Sequence, residues 1–198
     1  MNWTFFNKIL VINLPDRTDR LDQFSDECDK VGIRRVDIIH GIKGENAVLG
    51  FNQAQHNALE ACEGNSLVLE DDVVFKDWEH LKFSLHELPM DWDLCYLGAN
   101  VVGTNLCNWD PPKQYTQHLK RVTQAWTTHA VAYSQKGRDT ILANWNHKDG
   151  QIYDDFLRVN LERLQAFIVS PMVADQRPGF SDIWNTNTNY GFFNKWNQ

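Results

Sequence analysis

Short runs of consecutive apolar residues alternate with segments of helical spacing along the first half of this chain. The run at residues 8–14 is typical of a strand that is buried on both faces. Runs of the same kind occupy residues 36–39, 66–69 and 93–98, and the helical segments between them span 21–31, 52–63 and 78–88. Strands that alternate with helices of about ten residues predict an α/β fold with a mostly parallel central sheet flanked by helices.

The second half of the chain is less regular. It predicts strands at 118–122 and 166–169 and helices at 135–145 and 152–164. Residues 99–117 show no clear period and predict a long loop, and no structure is predicted for the tail at 185–198. Because no repeat or linker is visible, a chain of 198 residues is expected to form one domain.

Three consecutive carboxylates, Glu70, Asp71 and Asp72, interrupt an apolar run. Alternate residues of a strand share a face, so Glu70 and Asp72 are expected to project together and Asp71 to turn away. Adjacent carboxylates repel one another unless a cation lies among them. Oxygen ligands suit Mg²⁺ or Mn²⁺, which often take substrate phosphates as further ligands. The alternative interpretation is an acidic loop that binds no metal.

Composition argues against a nucleic-acid-binding protein, a zinc-binding protein and a membrane-spanning protein. The net charge of -7 and the absence of a basic stripe argue against nucleic acid as the ligand. The four cysteines include no C-x-x-C pair, which argues against a zinc site. No signal peptide and no run of about 18 apolar residues is visible, so we expect no transmembrane segment and a cytoplasmic location. Four tryptophans in polar surroundings could stack on a sugar ring or pack in the core: Trp109, Trp126, Trp145 and Trp184.

Several short motifs occur in an order that resembles one known family. They are Val11-Ile12-Asn13-Leu14 with Arg17 and Arg20, Gly50-Phe51 with His56, Leu69-Glu70-Asp71-Asp72, Tyr96-Leu97-Gly98, His129-Ala130, Asp154-Asp155-Phe156 and Ser181-Asp182-Ile183. Together they resemble glycosyltransferase family 25, which includes lipooligosaccharide and collagen galactosyltransferases. Phe51 stands where the family has Cys and Gln55 where it has Ser, so the surroundings of His56 differ from the family pattern.

The resemblance implies a GT-A (Rossmann-like) nucleotide-sugar-binding fold and a divalent metal, Mn²⁺ or Mg²⁺. It implies transfer of a hexose with inversion, from UDP-galactose or UDP-glucose to a hydroxyl of a glycan or another acceptor, as in lipopolysaccharide biosynthesis. Asp72 is the first metal ligand that it suggests, Glu70 the second and Asp71 the third, and Glu70 and Asp71 are also candidates for contact with the donor. Gln176 and Asp182 are candidates for a further ligand.

The residues that follow the first strand are candidates for donor binding. Asn13 and Leu14 lie where the nucleoside is expected, and Arg17 could pair with the diphosphate. The alternative for Arg17 is an ion pair with Asp16 or Asp19. Arg20 is expected to be a solvated helix residue.

Two histidines are weaker candidates. His56 lies off the apolar stripe of its predicted helix, so it could contact the donor or be an exposed helix residue. His129 could line the pocket or be an ordinary strand residue.

An inverting transferase needs a base that takes the proton of the acceptor hydroxyl. Asp154 and Asp155 lie in the first turn of a predicted helix, where an acid also interacts favourably with the helix dipole. Successive helical residues point about 100° apart, so one of the two is expected to act as the base.

Other functions compete with this hypothesis. A nucleotidyltransferase or sugar-nucleotide pyrophosphorylase usually carries a glycine-rich phosphate loop after its first strand, and residues 14–17 contain no glycine. A non-catalytic carbohydrate-binding module would not require the intact acidic triplet. A glycosidase needs only a pair of carboxylates, but a three-acid strand end is an unusual way to build one.

Overall fold

A computed structural model describes residues 3–44, 46–101, 110–181 and 186–188. The strands are β1 (Lys8–Asn13), β2 (Asp37–His40), β3 (Ser66–Glu70), β4 (Val73–Phe75), β5 (Leu94–Asn100), β6 (Lys113–Gln114), β7 (Leu119–Arg121), β8 (Trp126–Tyr133), β9 (Ala166–Val169), β10 (Ala174–Gln176), β11 (Gly179–Ser181) and β12 (Thr186–Thr188). The α-helices are α1 (Thr18–Val31), α2 (Ala47–Ala61), α3 (Leu81–His86), α4 (Gln135–Asn144) and α5 (Tyr153–Asn160), and 3-10 turns occur at Trp3–Phe5, Trp78–His80 and Leu161–Arg163.

Eight strands form the central sheet in the order β2-β1-β3-β8-β5-β9-β7-β6. β1 runs parallel to β2 and β3, and β5 runs parallel to β9. β8 lies antiparallel between β3 and β5, and β7 is antiparallel to β9 and β6. The predicted α/β class and helix-flanked sheet are confirmed. The pairing is mixed because β8, which the sequence did not predict as a strand, enters the centre of the sheet antiparallel to both neighbours.

The central strands are buried on both faces by helices. Successive residues of β3 point to opposite faces of the sheet, so Leu67 and Leu69 lie in one hydrophobic core cluster and Val68 lies in the other. Helices α1 and α3 contribute to the first cluster, and α2, α4 and α5 contribute to the second. This arrangement follows from the period of two along a strand.

Local capping sets the helix boundaries. Helix α1 ends where predicted, because Gly32 adopts the left-handed conformation with φ 79°. Helix α2 begins at Ala47, earlier than the predicted residue 52, because the Asn46 side chain accepts a hydrogen bond from the Leu49 N–H at 3.2 Å. The loop between β2 and α2 is therefore shorter than the sequence suggested.

The sheet topology brings distant segments to one edge. The parallel strands β1, β2 and β3 end at this edge, and the antiparallel strand β8 begins there. Helix α5 packs on β8, and its first turn lies near the same edge.

Some predicted features fall partly or wholly beyond the described ranges. The tail contributes β12, which pairs with β11, and its remaining residues lie outside the described part. Trp109, Asp182 and Trp184 also lie outside it. Within the described ranges, no helix combines the length and apolar character that a bilayer crossing requires.

Candidate functional site

A cavity of about 680 Å³ opens at the edge where β1, β2 and β3 end. Its lining changes character along the sheet order. Apolar side chains line it on the β1–β2 side, and carboxylates line it beyond β3 and beside β8. The apolar residues include Ile12, Leu14, Ile42 and Phe51, and the acids are Glu70, Asp71, Asp72, Asp154 and Asp155. A ligand that has an apolar ring at one end and groups attracted to a cation at the other would fit this lining.

The acidic triplet differs from the predicted alternation. Strand β3 ends at Glu70, and Asp71 and Asp72 form a turn before β4. Because the extended conformation stops, Asp71 is not turned away, and all three carboxylates line the cavity. The predicted alternation, with Asp71 turned away from Glu70 and Asp72, was therefore wrong.

Arg20 compensates part of this negative charge. Its Nη1 lies 3.0 Å from Asp71 Oδ1 and 3.6 Å from Asp72 Oδ2. Its Nη2 donates to the carbonyl oxygen of Phe180 at 2.6 Å. The side chain is largely buried, so the prediction of a solvated helix residue was wrong. The acidic triplet was itself the signal, since three adjacent acids require a nearby cation.

Asn13 orients Asp71 rather than lining the cavity. Its Nδ2 donates to Asp71 Oδ2 at 2.8 Å and to the Arg17 carbonyl oxygen at 3.1 Å. Burial raises the pKa of Asp71, while the Arg20 charge and the Asn13 hydrogen bond act in the opposite direction. Asn13 thus holds the end of β1 to the acidic turn, and Leu14, the next residue, lies in the cavity wall.

Asp72 carries an oxygen with no partner in the described part of the chain. Its Oδ2 accepts from Gln176 Nε2 at 3.1 Å, whereas Oδ1 is buried and makes no hydrogen bond. Burial raises the pKa of Asp72 to about 6, and Arg20 acts against this shift. The Oε1 atom of Gln176 is buried and also lacks a partner. These two oxygens provide a donor set that fits a hard divalent cation.

The protein donors alone would not complete a coordination shell. Among the described residues, no three His, Cys, Asp or Glu side chains form a group that could hold a metal ion. An ion at Asp72 would therefore take water or phosphate oxygens as further ligands, which is common for Mg²⁺.

Glu70 and Asp154 meet at one hydroxyl. Thr128 Oγ1 lies 2.9 Å from Glu70 Oε1 and 2.9 Å from Asp154 Oδ1. A hydroxyl has a single proton, so Thr128 can donate to only one of them, and the other contact is satisfied when that carboxyl is protonated. Burial raises the pKa of Glu70 well above its usual range and that of Asp154 to about 6.

The two adjacent aspartates have different surroundings, although both line the cavity. Asp154 is held from two sides, because its Oδ2 also accepts from the Thr127 N–H at 3.1 Å. Thr127 has a positive φ of 72°, an unusual value for a β-branched residue. Asp155 is half-exposed and accepts from Arg158 Nε at 3.0 Å. Desolvation raises the pKa of Asp154, whose carboxylate is also held by hydrogen bonds from Thr127 and Thr128.

Three predicted residues lie elsewhere. Arg17 forms an ion pair with Asp19 at 3.0 Å, the alternative considered above, and lines a smaller pocket of about 210 Å³ that shares Arg20, Asp72 and Arg177 with the main cavity. His56 packs on His147 with ring centroids 3.9 Å apart, and His129 is buried with its pKa lowered by burial to about 4. Neither histidine lines the cavity.

Two cationic residues in the cavity wall were not predicted. Lys43 lies in the loop after β2, and Arg177 follows β10. The Arg177 N–H donates to the carbonyl oxygen of Asp72 at 2.7 Å, which ties this segment to the acidic turn. The only signal for Lys43 was its position in a glycine-containing loop beyond a strand end.

Comparisons with known proteins gave distant structural similarities. No protein-family model matches the chain, and no curated protein sequence matches it. The crystal structure of A197 from STIV is 14% identical, with 90% of this chain and 91% of that chain covered and a TM-score of 0.48. A glycosyltransferase involved in the glycosylation of the major capsid of PBCV-1 is 10% identical, with 82% of this chain and 91% of that chain covered and a TM-score of 0.44.

Proposed function

We propose that this chain is a metal-dependent glycosyltransferase that transfers a hexose from a nucleotide sugar to a hydroxyl group, with inversion. UDP-galactose and UDP-glucose are the first donors to test. The observation that carries the proposal is the buried, unpartnered Oδ1 of Asp72 in the wall of a cavity that also holds a separate, half-buried carboxylate, Asp154.

Asp72 and Gln176 would hold the cation. Their unpartnered oxygens, Oδ1 and Oε1, belong to side chains already linked by a hydrogen bond of 3.1 Å, so both are held in place before an ion arrives. When bound, a divalent cation supplies positive charge that offsets the charge of a diphosphate leaving group. Arg177, whose N–H bonds the Asp72 carbonyl oxygen in the same wall, adds positive charge for the phosphates.

The nucleoside would occupy the apolar side of the cavity. Leu14 and Ile42 follow β1 and β2, and Phe51 comes from the first turns of α2. Gly50 lets the loop approach α2 closely, since a Cβ atom there would lie 2.1 Å from the Ile42 carbonyl oxygen. The wall that would hold the base is therefore built by close backbone packing.

Asp154 would act as the base. The acceptor oxygen forms a bond to the anomeric carbon on the face opposite the diphosphate, whose bond breaks with the electron pair leaving on the phosphate oxygen, while the hydroxyl proton passes to Asp154. A pKa of about 6 suits a base that works near neutral pH. The Thr127 N–H and the Thr128 hydroxyl hold the carboxylate in place.

The metal dependence of donor binding tests this function. Calorimetry with UDP should show binding with Mn²⁺ and a collapse of affinity in EDTA, because the carboxylates alone repel a diphosphate. Asp72→Asn should lose most of the Mn²⁺-dependent affinity and the transfer activity. Asp26→Asn removes an exposed acid of α1 outside the cavity and should behave like the wild type. Equal UDP affinity with and without Mn²⁺ would contradict the proposal.

A further inference from the structure

Asn52 is a polar residue of α2 that is fully buried and takes no part in the cavity wall. It follows Phe51, which lines the cavity, but its own side chain is 0% exposed and is not among the lining residues. A carboxamide is tolerated in the interior of a protein where its donor and acceptor groups find partners. The partners of Asn52 therefore show which parts of the chain this side chain holds together.

The partners of Asn52 all lie on the segment that leads into α5. Its Nδ2 donates to the carbonyl oxygens of Gln151 at 2.8 Å and His147 at 3.4 Å, and its Oδ1 accepts from the Tyr153 N–H at 3.0 Å. Two carbonyl groups and one N–H group meet at this side chain, so it has to donate and accept at once. An aspartate would lack the donor and a leucine would lack both groups.

The bond from the Tyr153 N–H caps helix α5 from another element. Tyr153 is the first residue of α5, and the N–H of a first helical residue has no partner within the helix. The preceding residue, Ile152, has no side-chain group that could accept this bond. Asn52 Oδ1 takes the place of the missing N-cap side chain. The start of α5 is therefore fixed by α2 and not by its own sequence.

Ring contacts also hold the loop between α4 and α5 against α2. His56, one turn after Asn52, packs on His147 with ring centroids 3.9 Å apart. Trp145 packs on Tyr153 with ring centroids 4.4 Å apart. Ring packing sets how closely the loop approaches α2, whereas hydrogen bonds depend on direction as well as distance. The bonds of Asn52 therefore determine the direction in which α5 starts.

Asp154 is the residue next to this cap. Its oxygens accept from the Thr127 N–H and contact the Thr128 hydroxyl, and both threonines belong to β8. The position of the Asp154 carboxylate in the cavity therefore depends on where α5 starts relative to β8. A displacement of about 1 Å at a reacting group can lower a rate by about 10²-fold.

Resting on the function proposed above, we propose that Asn52 is the positioning residue of the base. It holds the start of α5 so that Asp154 meets the attacking hydroxyl, and it acts through Asp154 without touching the substrates. The same geometry applies to any hydroxyl acceptor, including water. The acceptor oxygen bonds to the anomeric carbon, its proton passes to Asp154, and the nucleoside diphosphate leaves with the electron pair.

A double-mutant cycle tests this role. The assay is Mn²⁺-dependent release of UDP from UDP-galactose and UDP-glucose by the full chain, with water as the acceptor. Asn52→Ala should lower kcat by about 10- to 100-fold and leave the KM for the donor and the calorimetric affinity for UDP near those of the wild type. In the Asp154→Asn background, Asn52→Ala should lower kcat by less than about twofold, because the group through which Asn52 acts is already absent. An equal loss of kcat in both backgrounds would show a general structural role and overturn the proposal.

Ser134→Ala is the matched control. The Ser134 hydroxyl caps α4 by accepting from the Gly137 N–H at 3.0 Å, and it donates to the Trp92 carbonyl oxygen at 2.7 Å. The described residues of α4 do not line the cavity. Ser134→Ala therefore removes a buried cap and a bond to a distant carbonyl, as Asn52→Ala does, and should lower the urea midpoint while kcat stays at the wild-type value. A loss of kcat as large as that of Asn52→Ala would overturn the proposal.

A second variant covers the case in which Asn52→Ala does not fold. Asn52→Asp keeps an acceptor for the Tyr153 N–H and loses both Nδ2 bonds, so the loop before α5 is released while the cap remains. It should lower kcat in the wild-type background and have less than about a twofold effect in the Asp154→Asn background. Wild-type kcat in this variant would overturn the proposal.

Hydrogen exchange measured without a donor distinguishes this inference from the proposed function. By NMR, the Tyr153 N–H should exchange at least about tenfold faster in Asn52→Ala than in the wild type, and Ser134→Ala should not change it. If UDP is released and Asn52→Ala keeps the wild-type kcat, the positioning role is overturned and the transferase function stands. If the wild type releases no UDP, the transferase function fails, and unchanged exchange of the Tyr153 N–H would show that Asn52 does not hold α5 either.

Discussion

At the scale of single residues, the chemistry of the site depends on which of its carboxyl groups are protonated. Thr128 contacts Glu70 and Asp154 at 2.9 Å each with one hydroxyl proton. Desolvation raises the pKa of both carboxyls, and the Glu70 pKa is raised further by the charges of Asp72 and Asp154. Arg20 lies close to Asp71 and Asp72 and offsets part of their negative charge, so it reduces their repulsion of Glu70.

The two adjacent aspartates should differ in kinetic role. Asp154→Asn should lower turnover by about 10² to 10⁴-fold with UDP affinity nearly intact, because it removes the base and leaves Asp72 in place. Asp155→Asn should keep turnover within a few fold, because Asp155 is paired with Arg158, whereas Asp154 is held in the cavity wall by Thr127 and Thr128. Steady-state rates at varied acceptor concentration distinguish the two effects. Wild-type turnover in Asp154→Asn would place the base elsewhere.

At the scale of elements, the cavity is formed by segments that are linked across its mouth. Arg20 of α1 binds the acidic turn and the Phe180 carbonyl of β11. The Arg177 N–H bonds the Asp72 carbonyl at 2.7 Å. Helix α2 and the loop after β2 meet at Gly50. Changes at these junctions should therefore affect ligand binding as well as stability.

Gly50→Ala gives an element-scale test. Alanine is favoured over glycine in a helix by about 1 kcal/mol, so propensity alone predicts a gain in stability. The new Cβ would lie 2.1 Å from the Ile42 carbonyl oxygen, so the loop must move. We expect a net loss of about 1–3 kcal/mol and weaker UDP binding, measured by denaturant unfolding and calorimetry.

The matched control for Gly50→Ala is Gly44→Ala, in the loop that precedes α2. A Cβ at Gly44 would meet no described atom within 4 Å, so the stability of this variant should stay near that of the wild type. A stabilised Gly50→Ala variant with unchanged UDP affinity would contradict the close approach of the loop to α2.

At the scale of the whole molecule, the buried acids make stability depend on pH. The pKa of Asp154 is raised from its ordinary 3.8 to about 6 in the native state. Between these values the unfolded chain has lost this proton and the native protein has kept it. Stability therefore falls as the pH rises toward about 6, which is opposite to the effect of an ion-paired carboxylate.

Asp154→Asn should remove this contribution to the pH dependence of stability, because asparagine does not titrate. The unfolding free energy of the variant relative to the wild type should increase by up to about 3 kcal/mol between about pH 4 and about pH 7. Urea unfolding across this range measures the difference, and Asp26→Asn corrects for the loss of one negative charge. A difference that is constant with pH would show that Asp154 is ionised in the native protein throughout.

Much of the fold and the location of the acidic site could be predicted from sequence, because the signals are local. The apolar run of β1, the glycine that ends α1 and the acids that follow β3 are each specified by a few neighbouring residues. The α/β class follows from their order along the chain. These features need no knowledge of which strands are neighbours.

Tertiary structure alone decided which side chains meet. Arg20 reaches the Phe180 carbonyl across 160 positions of the chain, and Glu70 and Asp154 meet at Thr128 only because β8 enters the sheet antiparallel to β3. The choice between Asp154 and Asp155 likewise depends on tertiary contacts, because Asp154 meets Thr127 and Thr128 of β8 whereas Asp155 pairs with Arg158 of its own helix. Strand order and desolvation arise from the packing of the whole chain, and for that reason they cannot be predicted from a short stretch of sequence.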